Sequence, residues 1–194
     1  MNKKRVESLS DGIVAIIITV MIFNLEPPES PTQLQVTKLV PQLLGYLESF
    51  LLIGIFWYKH NKFLSSIKDI SGRVVWANLL FLFFLSLIPL VTNWAMLSSG
   101  SAWPRFSYGV VLLSCFLSFF FMQWLAGIGV SKVALLIVLG NLVSSAVALV
   151  WPWLAYLLFG ILGVFYAVYD ERPLADLPLL WLRKQDSSRL SRRE

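Results

Sequence analysis

The chain has 194 residues, of which 57% are hydrophobic and 14% charged, with a net charge of +5 and a mean hydropathy of +0.72. This composition is too apolar for a soluble domain of this size, so it excludes the soluble classes and indicates a membrane protein. A lone cysteine, Cys115, excludes an intrachain disulfide and is expected to pack in the interior.

Six stretches are long and apolar enough to cross a bilayer, which takes roughly 20 residues at about 1.5 Å each. The sequence therefore predicts an all-α integral membrane protein with six transmembrane helices. Residues 1–170 are expected to form one channel domain, followed by a basic cytoplasmic tail at 171–194 whose segment from residue 173 onward anchors to anionic lipid. The predicted spans are 6–24, 43–63, 74–97, 108–125, 133–150 and 154–168.

The basic residues follow the predicted topology. If the chain starts inside, only Lys38 and Arg105 fall in outer loops, and the remaining Lys and Arg lie on the cytoplasmic side. This predicts a multi-pass protein of the cell membrane with both termini cytoplasmic. Because the basic residues form no aromatic-interleaved patch, nucleic acid is not an expected partner.

The first span carries an aspartate, although a carboxylate inside a membrane helix costs roughly 2.5 to 3.5 kcal/mol on insertion scales. Asp11 follows Arg5 and Ser10 near the inner interface. Two interpretations remain open from these residues alone. Either Ser10 and Asp11 cap the helix, or they have a functional role.

Beyond Asp11, helical spacing brings Ile16, Thr19, Val20 and Phe23 onto one stripe. A ring of Ile16 side chains would dewet a narrow passage, and Thr19 hydroxyls would offer oxygen atoms to a cation. From these residues alone the stripe favours helix packing over a pore, since Ile and Thr are common in membrane helices. Glu26 and Glu29 follow, either as an acidic pore mouth or as an ordinary solvated loop.

The run RVESLSDGIVAIIITVMIFNL, starting at Arg5, resembles the signature of the transmembrane protein 175 family of lysosomal and bacterial potassium channels. The family's first helix opens with Arg, three variable residues and Phe-Ser-Asp; here Arg5, Ser10 and Asp11 match, and Leu9 replaces the Phe. The blocks SFLLIGIFWYKHNKFL and VVWANLLFLFFLSLIPL resemble the family's second and third helices. The resemblance covers roughly the first half of the chain.

The resemblance implies a potassium-permeable channel, in its bacterial single-repeat form a homotetramer whose four first helices surround a central pore. It implies a constriction at Ile16, with Thr19 as the next lining residue and Val20 and Phe23 further out, and we expect a potassium ion to lie near Thr19. It also implies a polar network that braces the pore helix, with these members: Arg5, Ser10, Asp11, Trp57, His60 and Asn78.

The chain contains no TVGYG-like stretch, so we expect modest selectivity and leak-type conduction past a hydrophobic gate. One alternative is a secondary transporter, since Pro89 is able to break the third span. Another is a proton-permeable channel that uses Asp11, Glu48 and His60. An enzyme is not expected, because HExxH, GxSxG and a second Asp motif are all absent from the sequence, and no cofactor is expected.

Overall fold

A computed structural model describes residues 2–25, 33–98, 101–129 and 131–169, and within these ranges the regular structure is entirely helical. The predicted tail at 171–194 and the acidic residues Glu26 and Glu29 lie outside the described residues. The helices are α1 (Lys3–Val20, continued by a 3-10 turn at Met21–Asn24), α2 (Gln33–Ser66), α3 (Gly72–Ser86), α4 (Ile88–Leu97), α5 (Trp103–Leu125), α6 (Lys132–Ala148) and α7 (Pro152–Val168).

The apolar helices match the six predicted stretches one for one. Four segments are long and apolar enough to cross a membrane, namely Lys3–Phe23, Leu39–Ser66, Gly72–Leu97 and Trp103–Leu125, and two further apolar helices are shorter, Lys132–Ala148 and Trp153–Val168. The predicted fold class, an all-α membrane protein with six helical segments per subunit, is thereby confirmed.

Two predicted boundaries are corrected by the structure. The second helix begins at Gln33 rather than at residue 43, because a polar first portion containing Pro41 continues the helix beyond the apolar stretch. The third span divides at Leu87 into α3 and α4. Pro89, which lies in the first turn of α4, has no N–H to continue the hydrogen-bond ladder, so the helix is interrupted there.

Side-chain caps begin three of the helices. The Asn2 side chain accepts from Lys4 N at 3.1 Å, and Ser71 and Ser131 cap α3 and α6 in the same way. The interpretation that Ser10 and Asp11 cap the first helix is therefore wrong, since Asn2 takes that role and both residues lie inside α1.

Aromatic side chains fill the centre of the bundle around α5, which packs against α3, α4 and α6. Phe56 of α2 contacts Phe116 with ring centroids 4.9 Å apart, and Phe81 of α3 contacts Phe119 at 5.4 Å. Cys115 is fully buried among them, as expected. Helix α1 lies at the edge of this core and packs mainly on α2 and α3.

Candidate pore helix and its polar network

One stripe of α1 and its 3-10 turn packs against the other helices of the chain. Its members recur every three or four residues, so they share one face of the helix. All are nearly inaccessible: Val6, Ser10, Val14, Ile17 and Met21. Among them Ser10 alone carries a polar side chain, so the buried face of α1 has a single hydrogen-bonding position that must find partners.

Ser10 begins a buried chain of hydrogen bonds across three helices. Its hydroxyl donates to Val6 O at 2.8 Å and accepts from Asn78 Nδ2 of α3 at 3.0 Å. Asn78 Oδ1 lies 2.6 Å from His60 Nε2 of α2, and because a carbonyl oxygen only accepts, Nε2 is the donor. The His60 ring also stacks on Phe81. Ser10, His60 and Asn78 are each 1% exposed.

Asp11 makes the second connection, to α2 alone. The Trp57 indole Nε1 donates to Asp11 Oδ1 at 2.9 Å, and Asn61 Nδ2 donates to the same oxygen at 3.4 Å. Consecutive residues of a helix point about 100° apart, so Ser10 faces α3 while Asp11 faces α2. The sequence analysis did not predict a role for Asn61. Its position one turn after Trp57, in a mostly apolar helix, is the feature that could have indicated it.

Arg5 is not brought into this network. Its side chain is exposed and makes no hydrogen bond or ion pair with the described part of the chain. The neighbouring Lys3 ties α1 to the bundle instead, because its Nζ donates to Ile67 O at 2.7 Å in the segment between α2 and α3. Lys3 Nζ also lies 3.7 Å from a carboxylate oxygen of Glu7.

The residues predicted to line a pore all lie on exposed faces of α1 and its 3-10 turn. Ile16 is 62% exposed, Val20 44% and Phe23 83%, and Thr19 is exposed as well. Thr19 Oγ1 donates to the backbone at Ala15 O, 2.9 Å away, and at Ile16 O, 3.0 Å away. Since its hydrogen points back to the helix, the oxygen lone pairs are left for another group.

Glu48 is not part of the same cluster. It lies twelve residues before His60 on α2, roughly 18 Å along the helix axis. There it lines a cavity together with Arg105. The three groups of the proton-pathway alternative, Asp11, Glu48 and His60, therefore do not form one cluster. In the described ranges, no group of three or more His, Cys, Asp or Glu is arranged to hold a metal ion.

Comparison with known proteins shows what the region of this network is similar to. Residues 5–89 match the family model described as "Endosomal/lysosomal potassium channel TMEM175", a match that contains α2, α3, all of α1 except its first two residues, and every residue of the predicted polar network. The first part of the chain is similar to the TMEM175 family. The resemblance to this family that the first-helix signature indicated is confirmed. The matching proteins are named as ion channels, which agrees with the expectation that this chain is not an enzyme.

Bacterial relatives extend the match. The chain is 39% identical over 113 residues to a potassium channel of a Chryseobacterium species, covering 58% of this chain and 59% of the relative. It is 30% identical over 135 residues to a potassium channel of Streptomyces collinus, covering 64% and 65%. The matches thus span 59% and 65% of the length of these two relatives.

A rat relative, named "Endosomal/lysosomal proton channel TMEM175", is 30% identical over 132 residues, covering 62% of this chain and 26% of the relative. The crystal structure of a lysosomal potassium-selective channel TMEM175 homolog from Chamaesiphon minutus superposes with a TM-score of 0.73. That superposition covers 86% of this chain and 96% of the other at 20% identity, and it shows the shared fold.

Proposed function

We propose that the chain is one subunit of a potassium-permeable cation channel whose pore is lined by α1. The observation that carries the proposal is the division of α1 into two faces. One face packs on α2 and α3, and the residues of the pore stripe lie exposed on the other. The match to the family model and the names of the bacterial relatives support the choice of potassium channel over other membrane functions.

Several subunits must contribute α1, because one helix cannot enclose a passage. We propose a homotetramer with four copies of α1 around the axis. The multi-pass protein would sit in the cell membrane with both termini cytoplasmic, as the distribution of Lys and Arg predicts. Small residues on α1 support this arrangement, since Gly12 and Ala15 are exposed beside the stripe and let neighbouring helices approach closely.

The gate of this pore would be a hydrophobic ring at Ile16. A hydrated cation crosses such a ring only when the passage widens enough to stay wet, so the barrier is dehydration. A ring of Thr19 follows one turn along the helix. Its hydroxyl hydrogens are held by the backbone, so four oxygen atoms would face the ion, which supports a potassium position beside Thr19.

Currents across bilayers that contain the purified protein test the proposal. We expect uncoupled currents that reverse with the potassium gradient and discriminate modestly against sodium. Replacing Ile16 with Asn should raise the resting current several-fold because the ring becomes easier to wet. Ile161 of α7 is a matched control, since it is 57% exposed against 62% for Ile16, and Ile161→Asn should leave the current unchanged. Equal currents in both variants would remove Ile16 from the gate.

Two other functions have support from specific observations. Proton permeation is favoured by the printed name of the rat relative and by the buried His60. Secondary transport is favoured by the break between α3 and α4 at Leu87. Bilayer currents recorded without permeant metal cations separate the first case, because a proton pathway would still carry a current that reverses with the pH gradient. Saturating flux coupled to a second ion would favour the transporter.

A further inference from the structure

A cavity of about 170 Å³ lies at the end of the bundle where α5 begins, between α2, α4, α5 and α7. We call it the Arg105 cavity. Its wall is mostly apolar and includes Leu44 and Met96, but it also contains one acidic side chain, Glu48, and one basic side chain, Arg105. The volume exceeds that of a single water several-fold, so it has room for a small polar head group.

Arg105 is held rigidly and has an unused donor. It is 4% exposed, and its Nη1 donates to Ser101 O at 2.9 Å. Its guanidinium carbon lies 5.7 Å from the Trp153 ring centroid and 5.9 Å from that of Tyr156. The buried Nε finds no acceptor among the described residues. A planar cation fixed in this way is suited to bind phosphate or carboxylate.

Glu48 presents the complementary group. Its Oε1 is buried and has no hydrogen-bond donor within the described part of the chain. The described residues also contain no ion pair between Glu48 and Arg105, although both line the same cavity. Glu48 Oε1 also lies beside Gly160 of α7, where a Cβ would be in ordinary contact with it at 3.9 Å. Two residues that line one cavity therefore each have a buried polar atom without a partner among the described residues, which is costly unless a ligand pairs with them.

A ligand that satisfies both needs an anionic oxygen for Arg105 and a cationic N–H group for Glu48. The surroundings favour an amphiphile, because Leu44 is 61% and Trp153 67% exposed at the edge of the cavity, on apolar helices that we expect to face lipid. Tryptophan is also enriched at the level of lipid head groups. We propose that the Arg105 cavity binds the head group of one phosphatidylethanolamine per subunit, with the phosphate on Arg105 and the ammonium on Glu48.

Lipid retention by the purified full chain tests this inference, which does not depend on the proposed conduction. The protein is incubated with phosphatidylethanolamine, phosphatidylcholine and phosphatidylglycerol of equal acyl chains, and the retained lipid is read by native mass spectrometry. We expect preferential retention of phosphatidylethanolamine, because phosphatidylcholine has no N–H to donate and phosphatidylglycerol has no cation for Glu48. Free phosphoethanolamine at equal concentration should not displace the lipid.

Variants assign the two contacts. Arg105→Gln should lower phosphatidylethanolamine retention about tenfold, as expected for a lost charge-assisted hydrogen bond. Glu48→Gln should remove the preference over phosphatidylcholine. Leu44→Trp leaves both charges intact and fills the cavity, so it should also reduce retention even if Arg105→Gln misfolds. Leu142→Trp, at an exposed position of α6, is the control and should retain lipid as the parent does.

Three results would overturn the assignment. The first is equal retention of phosphatidylglycerol and phosphatidylethanolamine, since Glu48 would then make no contribution. The second is unchanged retention in both Arg105→Gln and Leu44→Trp, which would place the lipid elsewhere. The third is displacement by free phosphoethanolamine at equal concentration, which would make the cavity a site for a soluble zwitterion rather than a lipid.

Discussion

Replacing Asn78 with Leu tests the buried hydrogen-bond chain most directly. Asn78 donates to Ser10 and accepts from His60, and the leucine removes both bonds with little change in volume. Ser10 keeps its bond to Val6 O, so one buried donor, His60 Nε2–H, is left without an acceptor. An unsatisfied buried group costs about 1–3 kcal/mol, and hydrogen bonds inside membrane proteins average about 0.6 kcal/mol, which sets a lower limit. We expect the free energy of unfolding to fall by about 0.6–3 kcal/mol.

Asn141 of α6 provides a matched control. It is 0% exposed, yet neither its Oδ1 nor its Nδ2 has a hydrogen-bond partner among the described residues. Asn141→Leu therefore removes two unpaired polar atoms and should leave the stability unchanged or raise it. The two asparagines are almost equally buried, yet only the replacement of Asn78 is expected to lower the free energy of unfolding.

Reversible unfolding in mixed micelles with increasing dodecyl sulfate, followed by tryptophan fluorescence, measures both free energies. Asn78→Leu should unfold at a lower dodecyl sulfate fraction than the parent, and Asn141→Leu at the same or a higher fraction. The reasoning is refuted if Asn78→Leu is as stable as Asn141→Leu, because satisfaction of the amide would then have no effect.

Gly109→Ala should destabilise the protein by about 1–3 kcal/mol, because a Cβ at this position would collide with the Ser145 hydroxyl where α5 meets α6. Gly54→Ala is its control: nothing lies within 4 Å of a Cβ there, so the higher helix propensity of alanine should add about 0.5–1 kcal/mol in the same unfolding assay. Trp57→Phe should cost about 0.5–1.5 kcal/mol by removing the donor to Asp11, and a loss as large as that of Asn78→Leu would contradict the smaller effect expected at an exposed carboxylate.

The number and type of the apolar helical segments were predictable, because the length of an apolar stretch that crosses the membrane must match the thickness of the bilayer. Their ends were less predictable where they extend beyond the hydrocarbon. The start of α2 at Gln33 is the main example, since the polar residues before residue 43 reduce the hydropathy without stopping the helix. The sequence indicated only that Pro89 is able to break the helix. It did not predict that the break lies at Leu87, two residues before the proline.

The polar network was predictable in part. The resemblance pointed to Ser10, Asp11, Trp57, His60 and Asn78, and the structure brings these five side chains into two adjoining hydrogen-bonded groups. Their roles in conduction stay predictions. The neighbourhood of Glu48 was not predictable, because it depends on α2, α5 and α7 meeting at one point. Helical periodicity gives the face of each residue but not which helix that face will meet.

The two connections at Ser10 and Asp11 also fix the rotation of α1 about its own axis. Most of its buried contacts are aliphatic, and such contacts tolerate rotation because lipid and protein interior are similarly apolar. The hydrogen bonds to Asn78 and Trp57 do not tolerate rotation, since turning the helix by one residue, about 100°, would break both. With that rotation fixed, Ile16 must point away from α2 and α3. The network would thus act on conduction without touching the ion, by holding the proposed gate residue toward the neighbouring subunits.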